Sequence, residues 1–391
     1  MQSKLTLVDL FCGAGGLSQG FKDCGFQTLL GVDSDPWSVK TFEKYHGKCL
    51  EGRIEDLSAN KIKREIDDKE ITVLVGGPPC QAFSTIACAK LRSMGRSTNT
   101  RHPLNKLYKE FFRLVKDLSP KFFVMENVPR MFSVQDGIIK KEIELELDSE
   151  YSLSFYSEQV ADFGVPQFRK RVLAIGNRMG LPNPILKHTH YDPLVENPKD
   201  GRRPYETVRN AISDLPKIKC GGGLVFVNYS NNEKLSDYQK RMRKDSDGIH
   251  DHVARGHNER DLEIFSLLKP RQWISDLPKK YNPYRKDIFK DRFKKLPWNE
   301  PSYTIIAHIS KDGLMHIHPD KKQNRSITPR EAARLQSFSD SYVFEGPPTK
   351  QFIQIGNAVP PIFASAIATG ILESLLVKCQ IPVKQRKMLS K

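Results

Sequence analysis

Short apolar runs rich in β-branched residues alternate with amphipathic stretches along the first half of the chain. The apolar runs have the length of buried strands and cover residues 5–11, 28–32, 71–75 and 122–125. Helical spacing of apolar positions follows in the stretches between them, beginning near residue 17 and covering 37–45 and 107–118. This alternation predicts an α/β fold with a doubly wound, mainly parallel sheet.

The second half of the chain has a different character. From about residue 179 to 297, prolines, glycines and basic residues replace the regular alternation. This composition predicts a smaller, irregular and mostly β domain with many loops. Regularity returns at Thr328, where proline at the next position and Glu331 three residues on mark the start of a helix.

These changes of pattern divide the chain into three segments. We expect a sheet domain over residues 1–178, the smaller domain over 179–327, and a return to the sheet domain over 328–391. The last segment contains a long apolar stretch that predicts a final helix at 362–378. Its apolar surface needs cover from the sheet domain.

Composition is that of a soluble globular protein. Hydrophobic residues make up 38% of the 391 residues, which is too high a share for disorder. The seven cysteines include no C-x-x-C pair, so neither a metal site nor a disulfide framework is expected, and a reducing cytoplasm fits. Polar residues interrupt the stretch 362–376, which favours a buried helix over a membrane span. Nothing at the amino terminus resembles a signal peptide.

The net charge of +16 indicates a polyanionic partner. Basic clusters lie at residues 240–244 and 285–295, and aromatic residues interleave with the second cluster. Such a pattern is typical of a groove that follows phosphates. A basic surface that is merely solvated is the alternative.

A glycine-rich turn follows the first strand. Gly13, Gly15 and Gly16 lie between that strand and the first helix, where backbone N–H groups can approach a nucleotide-like ligand. Asp33 ends the second strand, twenty positions after Gly13, where a carboxylate can hold ribose hydroxyls. Together these features predict an adenosyl-type ligand, although the spacing does not distinguish a dinucleotide from S-adenosylmethionine.

Cys80 follows the strand at 71–75 after two glycines and two prolines. Those residues end the strand and direct the cysteine toward the carboxyl edge of the sheet, where open α/β sheets bind substrates. Cys80 is therefore a candidate nucleophile. Glu126 ends a further strand at the same edge, and a solvated strand-end carboxylate is the alternative interpretation.

Three polar residues alternate before the next strand. Gln167, Arg169 and Arg171 are two positions apart, so an extended backbone would place them on one face. That face could hold phosphate or carboxylate oxygens. An exposed polar strand face would have the same pattern.

Six motifs, in this order, resemble those of the DNA (cytosine-5) methyltransferases. They begin at Asp9, Gly77, Glu126, Gln167, Arg330 and Gly356, and read DLFCGAGG, GPPCQAFS, ENV, QFRKR, REAARLQSF and GNAVP. The match spans both ends of the chain. Only the segment between the fourth and fifth motifs would choose a DNA target, and it is not itself a motif.

The resemblance implies a Rossmann-like S-adenosylmethionine-dependent methyltransferase domain with a smaller target-recognition domain. The residues implied to line the cofactor site are Phe11, Gly13, Gly15, Gly16, Asp33, Ile54, Pro79, Leu107 and Asn357. The residues implied to contact DNA are Gln81, Ser84, Gln167 and Thr304. For Thr304, a structural threonine is nearly as good an interpretation.

The resemblance also assigns the chemistry. Cys80 would add to carbon 6 of a cytosine flipped out of the duplex, which makes carbon 5 nucleophilic. Glu126 would donate a proton or hydrogen bond to ring nitrogen 3. Arg169 and Arg171 would fix the Glu126 carboxylate, the cytosine carbonyl and nearby phosphate. The segment 85–101 would close over the extruded base.

One position departs from the family pattern. The chain has Arg53 between Gly52 and Ile54, where the family usually has an acidic residue that contacts the adenine amino group. Glu55 or Asp56 could replace that contact, which stays open.

Double-stranded DNA is the expected partner of a monomeric, cytoplasmic and nucleoid-associated prokaryotic enzyme. A cognate restriction endonuclease acts separately in one interpretation, and a solitary bacterial or archaeal enzyme is the other. The alternatives are a tRNA cytosine-5 methyltransferase and a catalytically inactive DNA-binding relative. The intact set of Cys80, Glu126, Arg169 and Arg171 argues against the inactive relative. The basic segment 183–328 favours DNA over tRNA as the substrate.

Overall fold

The structure is a computed structural model that describes residues 4–79, 107–133, 137–230, 234–281 and 292–380. Within these ranges the chain forms two compact units. The first unit comprises residues 1–159, 170–187 and 361–391, and the second comprises 160–169 and 188–360.

A seven-stranded sheet forms the centre of the first unit, in the order β3-β2-β1-β4-β5-β7-β6. Its strands are β1 (Thr6–Leu10), β2 (Gln27–Asp33), β3 (Cys49–Glu51), β4 (Val73–Gly76), β5 (Phe122–Asn127), β6 (Ser152–Gln159) and β7 (Lys170–Asn177). The first five strands are parallel, whereas β7 runs antiparallel to β5 and β6. The predicted doubly wound α/β sheet is confirmed.

Helices cover the sheet of the first unit. They are α1 (Gly16–Asp23), α2 (Pro36–His46), α3 (Ala59–Glu65), α4 (Leu107–Leu118), α5 (Arg130–Ser133), α6 (Ile138–Leu147) and α12 (Pro361–Gln380). A short 3₁₀ turn lies at Ile54–Asp56. Helix α4 has the predicted bounds because its apolar positions recur at helical spacing and bury one face, on which Phe111 and Val115 are fully enclosed.

The final helix packs on the first one. A Cβ atom built at Gly20 of α1 would lie 2.4 Å from the Cβ atom of Ala364 in α12. The Ser365 hydroxyl donates to the Gly20 carbonyl at 3.2 Å. The missing side chain at Gly20 therefore lets the two helix backbones approach closely.

The second unit is irregular, as predicted. Its elements are β8 (His190–Tyr191), β9 (Arg203–Pro204), α7 (Val208–Ile212), β10 (Gly223–Val227), α8 (Asp237–Arg243), β11 (Ile249–Val253), α9 (Glu259–Leu267), α10 (Pro329–Leu335) and α11 (Pro348–Asn357). Short 3₁₀ turns lie at Val160–Phe163, Ile274–Asp276, Lys279–Tyr281 and Ala307–Ser310. In its described part, helices contribute more residues than the four short strands. The smaller domain is therefore less β-rich than expected, because local helix caps such as Ser236 and Asn258 start helices between the strands.

The two compact units divide the chain at other residues than the predicted boundaries. Residues 328–360 group with the second unit, because α10 packs against α7 and β11. Arg334 of α10 is fully buried and pairs with Asp214 and Asp340. The predicted capping box of Thr328 and Glu331 starts this helix. Only the part from residue 361 onward returns to the first unit.

One apolar stretch, Pro348–Leu376, is long enough and apolar enough to cross a membrane. The core helix of a globular protein can have the same length and apolar composition, and 61% of the most apolar part of this stretch is buried. The stretch contains α11 and most of α12, and a buried helix was the prediction for its second part.

Candidate active site

The carboxyl ends of three neighbouring strands form the edge that carries the glycine-rich turn, Pro79 and Glu126. Leu10 of β1 pairs with Gly76 of β4, and Gly76 pairs with Met125 of β5. The chain leaves β1 toward β2 on one side and later returns to β4 on the other. Ligands of open α/β sheets bind at such a switch point.

The glycine turn after β1 has the backbone of a ligand cradle. Gly13 and Gly15 have φ angles of 53° and 82°, which glycine adopts without strain. Phe11, with a φ of 59°, is a non-glycine residue in the left-handed region, which is uncommon. The Gly13 N–H donates to the Asp33 carboxylate at 2.8 Å, so the structure brings this predicted pair together. A Cβ atom at Gly13 would meet nothing within 4 Å, which leaves open space beside the turn. Burial raises the pKa of Asp33.

Asp9 links the strand before this turn to the helix after it. The sequence reasoning did not identify Asp9 as a site residue. It is fully buried in β1, and the Ser18 hydroxyl of α1 donates to its Oδ2 atom at 2.7 Å. Its Oδ1 atom has no hydrogen-bond partner among the described residues. Burial raises the pKa of Asp9 to about 7. A carboxyl at the end of an otherwise apolar strand was the signal for it.

The other predicted cofactor residues of the first unit fall into two groups. Ile54 and Leu107 are buried in one hydrophobic cluster, and Phe11 packs against it. Pro79 is exposed at the end of the segment that follows β4, and Gly16 begins α1. Asn357 belongs to the second unit, where it is exposed at the end of α11.

Arg53 is exposed and forms an ion pair with Glu55 at 2.9 Å. The hydrogen bond and charge of Arg53 lower the pKa of Glu55. Gly52 borders open space, since a Cβ atom there would meet nothing within 4 Å. Glu55, one of the two carboxylates that could replace the family's adenine contact, is thus paired with Arg53.

Glu126 is the penultimate residue of β5 and is buried beside Arg171. The Arg171 Nε atom lies 2.6 Å from Glu126 Oε1, and both side chains are about one-tenth exposed. Glu126 pairs across the sheet with Leu173, so Arg171 is its diagonal neighbour on β7. A Cβ atom at Gly77 would lie 3.3 Å from Glu126 Oε2. The carboxylate therefore borders the segment that leads from β4 to Cys80.

Asn127 is a second residue that the sequence reasoning missed. Its Nδ2 atom donates to the Pro78 carbonyl at 3.0 Å, and its Oδ1 atom accepts from the Val128 N–H. The side chain is buried, so this hydrogen bond is sheltered from water. Its place directly after Glu126 at a strand end was the available signal.

Gln167, Arg169 and Thr304 lie in the second unit, so the structure describes Arg169 and Arg171 in different units. Gln167 is fully buried and donates to Gln336 at 2.8 Å. Its amide serves hydrogen bonds inside the protein, and its DNA contact stays a prediction. The Thr304 hydroxyl donates to the Phe168 carbonyl at 2.7 Å, and its DNA contact stays a prediction.

Cys80, Gln81 and Ser84 lie outside the described residues, as does the segment 85–101. The roles predicted for them rest on the sequence.

The fold is that of an α/β enzyme, and its strand edge carries a glycine-rich turn and a buried carboxylate–arginine pair. The model of the family described as C-5 cytosine-specific DNA methylase matches residues 5–373, and the chain belongs to this family. The family resemblance of the six motifs is thereby confirmed, and the protein is a cytosine-5 DNA methyltransferase.

Known relatives agree with this membership. The chain is 33% identical to type II methyltransferase M.Bpa9945I of Bacillus paralicheniformis, over 94% of this chain and 98% of that protein. It is 34% identical to type II methyltransferase M1.HphI of Haemophilus parahaemolyticus, over 94% and 87%. A crystal structure described as a prophage-encoded DNA modification methyltransferase of E. coli superposes with a TM-score of 0.72. The identity there is 25%, over 95% of this chain and 99% of that one.

Proposed function

We propose that the protein methylates carbon 5 of a cytosine flipped out of double-stranded DNA, at a specific sequence, through a transient covalent bond to Cys80. The observation that carries this proposal is the buried Arg171–Glu126 pair next to Gly77. It supplies a charged hydrogen-bonding group beside the segment from which Cys80 extends.

S-adenosylmethionine fits the residues at the switch point. The open space beside Gly13 and Gly52 can admit a ligand, and Asp33 offers a carboxylate to ribose hydroxyls. The residues proposed to hold the cofactor are Phe11, Gly13, Gly15, Gly16, Asp33, Ile54, Pro79, Leu107 and Asn357. When bound, it supplies an electrophilic methyl group on a sulfonium.

Cys80 begins the reaction as a thiolate. Its sulfur bonds to carbon 6 of the ring, and the electron pair released toward carbon 5 makes that atom nucleophilic. After carbon 5 is methylated, it loses its proton to a base or water. The electrons of that C–H bond then expel the Cys80 sulfur, which restores the aromatic ring and the free enzyme.

Glu126 and Arg171 act at nitrogen 3 of the ring, whereas Cys80 adds to carbon 6. Glu126 donates a proton or strong hydrogen bond to nitrogen 3 and so offsets the negative charge that develops as the thiolate adds. Arg171 holds the Glu126 carboxylate in place, as its 2.6 Å approach permits. Gln81, Ser84, Gln167 and Thr304 are proposed to contact the DNA.

The enzyme is proposed to act as a monomer in the cytoplasm of a prokaryote, as the modification half of a type II restriction–modification system. The names of the relatives support the assignment to a type II system. A cognate endonuclease would act separately on the same DNA sequence.

A trapping experiment tests the proposal. Bisulfite sequencing of DNA from cells that express the chain identifies the modified site, and a duplex with 5-fluorocytosine at that site is then incubated with protein and S-adenosylmethionine. Fluorine at carbon 5 blocks proton loss, so a covalent complex joined at Cys80 should persist. Cys80→Ala should form none, whereas the control Cys220→Ala, at a half-buried thiol of the second unit, should react normally.

Three results would contradict the proposal. A Cys80→Ala protein that still methylates would exclude the covalent route. Transfer of label from the cofactor to tRNA but to no duplex DNA would favour the RNA alternative, and transfer to neither would favour an inactive relative.

A further inference from the structure

Arg169 is a buried cation that donates to backbone carbonyls. Its side chain is enclosed, and the residue is only 3% exposed. Nη1 donates to the Ile305 carbonyl at 2.8 Å and to the Gly356 carbonyl at 3.3 Å. Nη2 donates to Gly356 at 3.3 Å and to the Ala358 carbonyl at 3.1 Å.

Gln336, which directly follows α10, also donates to carbonyls at the end of α11. It is fully buried, and its Nε2 atom donates to the Ile355 carbonyl at 2.6 Å and to the Ala358 carbonyl at 3.2 Å. Its Oε1 atom accepts from Gln167 at 2.8 Å. The amide is therefore oriented by hydrogen bonds on both of its polar atoms.

These donors meet the end of α11, where helix carbonyls lack partners within the helix. A guanidinium is also favoured there by the negative end of the helix dipole. Tight packing adds a further restraint, because a Cβ atom at Gly356 would lie 2.2 Å from the Ala307 nitrogen.

Asn357 lies between the residues whose carbonyls accept these hydrogen bonds. The carbonyls at 355, 356 and 358 are all held, so the backbone on both sides of Asn357 is fixed. Its own side chain is exposed and can meet a ligand. The arrangement fixes the backbone from which one exposed polar side chain extends.

We propose that Arg169 and Gln336 are positioning residues that fix the backbone at Asn357 and thereby set the affinity for S-adenosylmethionine. The inference rests on the proposed function, in which Asn357 contacts the cofactor. It gives Arg169 a different task from Arg171, two residues further on, which lies beside Glu126. Loss of either positioning residue weakens cofactor binding because the backbone that carries Asn357 is no longer held in place.

A double-mutant cycle on the full chain tests this, with the dissociation constant of labelled S-adenosylmethionine measured by equilibrium dialysis. Arg169→Met and Gln336→Met should each weaken binding about 3- to 10-fold, as expected for lost hydrogen bonds. In an Asn357→Ala background the same substitutions should weaken it less than 2-fold, since the residue they act through is gone. Independent fold-changes that multiply would overturn the inference.

Gln351→Met is the matched control. Gln351 is a buried glutamine of α11 that donates to the Phe344 carbonyl at 3.0 Å, away from Asn357. It should leave cofactor affinity within 2-fold of wild type at a thermal midpoint similar to that of Gln336→Met. An equal loss of affinity in both glutamine variants would mean a general effect of core disruption and would refute the proposal.

If Arg169→Met does not fold, the Gln336→Met cycle alone tests the inference. A wild-type protein that does not bind S-adenosylmethionine would refute the proposed function together with this inference, whereas wild-type binding with a multiplicative cycle refutes the inference only.

Discussion

Glu126 and Asn127 are consecutive residues of β5 that both serve the segment leading to Cys80. Side chains alternate across a strand, so the two point to different sides of the chain. Glu126 borders Gly77 and pairs with Arg171, whereas Asn127 donates to the Pro78 carbonyl. One strand end thus supplies both the proposed acid and a hydrogen bond that fixes the backbone near the nucleophile.

Asn127→Asp should slow methyl transfer about tenfold while the protein stays folded. The carboxylate cannot donate to the Pro78 carbonyl, and a buried carbonyl without its donor costs on the order of 1–3 kcal/mol. Single-turnover methylation of the modified duplex measures the rate. Asn183→Asp is the control, since Asn183 also donates to a carbonyl, that of Ser152, at 2.8 Å. Wild-type rates in the Asn127 variant would contradict the positioning role.

At the scale of elements, the contact of α1 with α12 depends on one missing side chain. The Cβ atom that alanine would add at Gly20 has three close neighbours in α12: Ala364 Cβ, the Pro361 carbonyl and the Ser365 nitrogen. Two of these belong to the backbone, so a rotamer change cannot relieve the clash. The helices must separate to admit even a methyl group.

Gly20→Ala should therefore lower the free energy of unfolding by about 1–3 kcal/mol, despite the higher helix propensity of alanine. Urea unfolding followed by circular dichroism measures the change. Gly256→Ala provides the comparison, because a Cβ atom there would meet nothing within 4 Å. If both variants unfold at the same urea concentration, the helices do not pack as described.

Local elements could be predicted because their signals are local. The bounds of α4 follow from its apolar spacing, and the cap of α10 follows from Thr328 and Glu331. The Gly20–Ala364 contact could not be predicted, since nothing near either residue indicates its partner. The different surroundings of Arg169 and Arg171 were hidden for the same reason: period-two spacing gives a common face but not the partners on it.

Over the whole molecule, several buried histidines are held neutral. Burial lowers the pKa of five of them, to about 3 for His46 and to about 4 for His257, His316 and His318. The pKa of His252 also lies below its ordinary value because of burial. Each must take up a proton on unfolding in acid. Asp9 and Asp33, whose pKa values burial raises, act in the opposite sense but are fewer.

Stability should consequently fall as the pH drops from about 6.5 toward 4. A base with a lowered folded pKa contributes stability that is complete above its unfolded pKa and is lost below it. The thermal midpoint should decrease by roughly 5 °C or more over this window. His316→Gln keeps a donor for the Thr304 carbonyl without titrating, so its profile should be shallower. An identical profile would show that His316 does not take part.

The pairing of Gly20 with Ser365 also constrains biosynthesis. The two residues are separated by 345 positions. At about 5–20 residues per second, a ribosome needs roughly 17–70 s to add them. During that interval the surface of α1 around Gly20 has no native neighbour, so the nascent amino-terminal half offers an apolar face to chaperones until translation reaches the last helix.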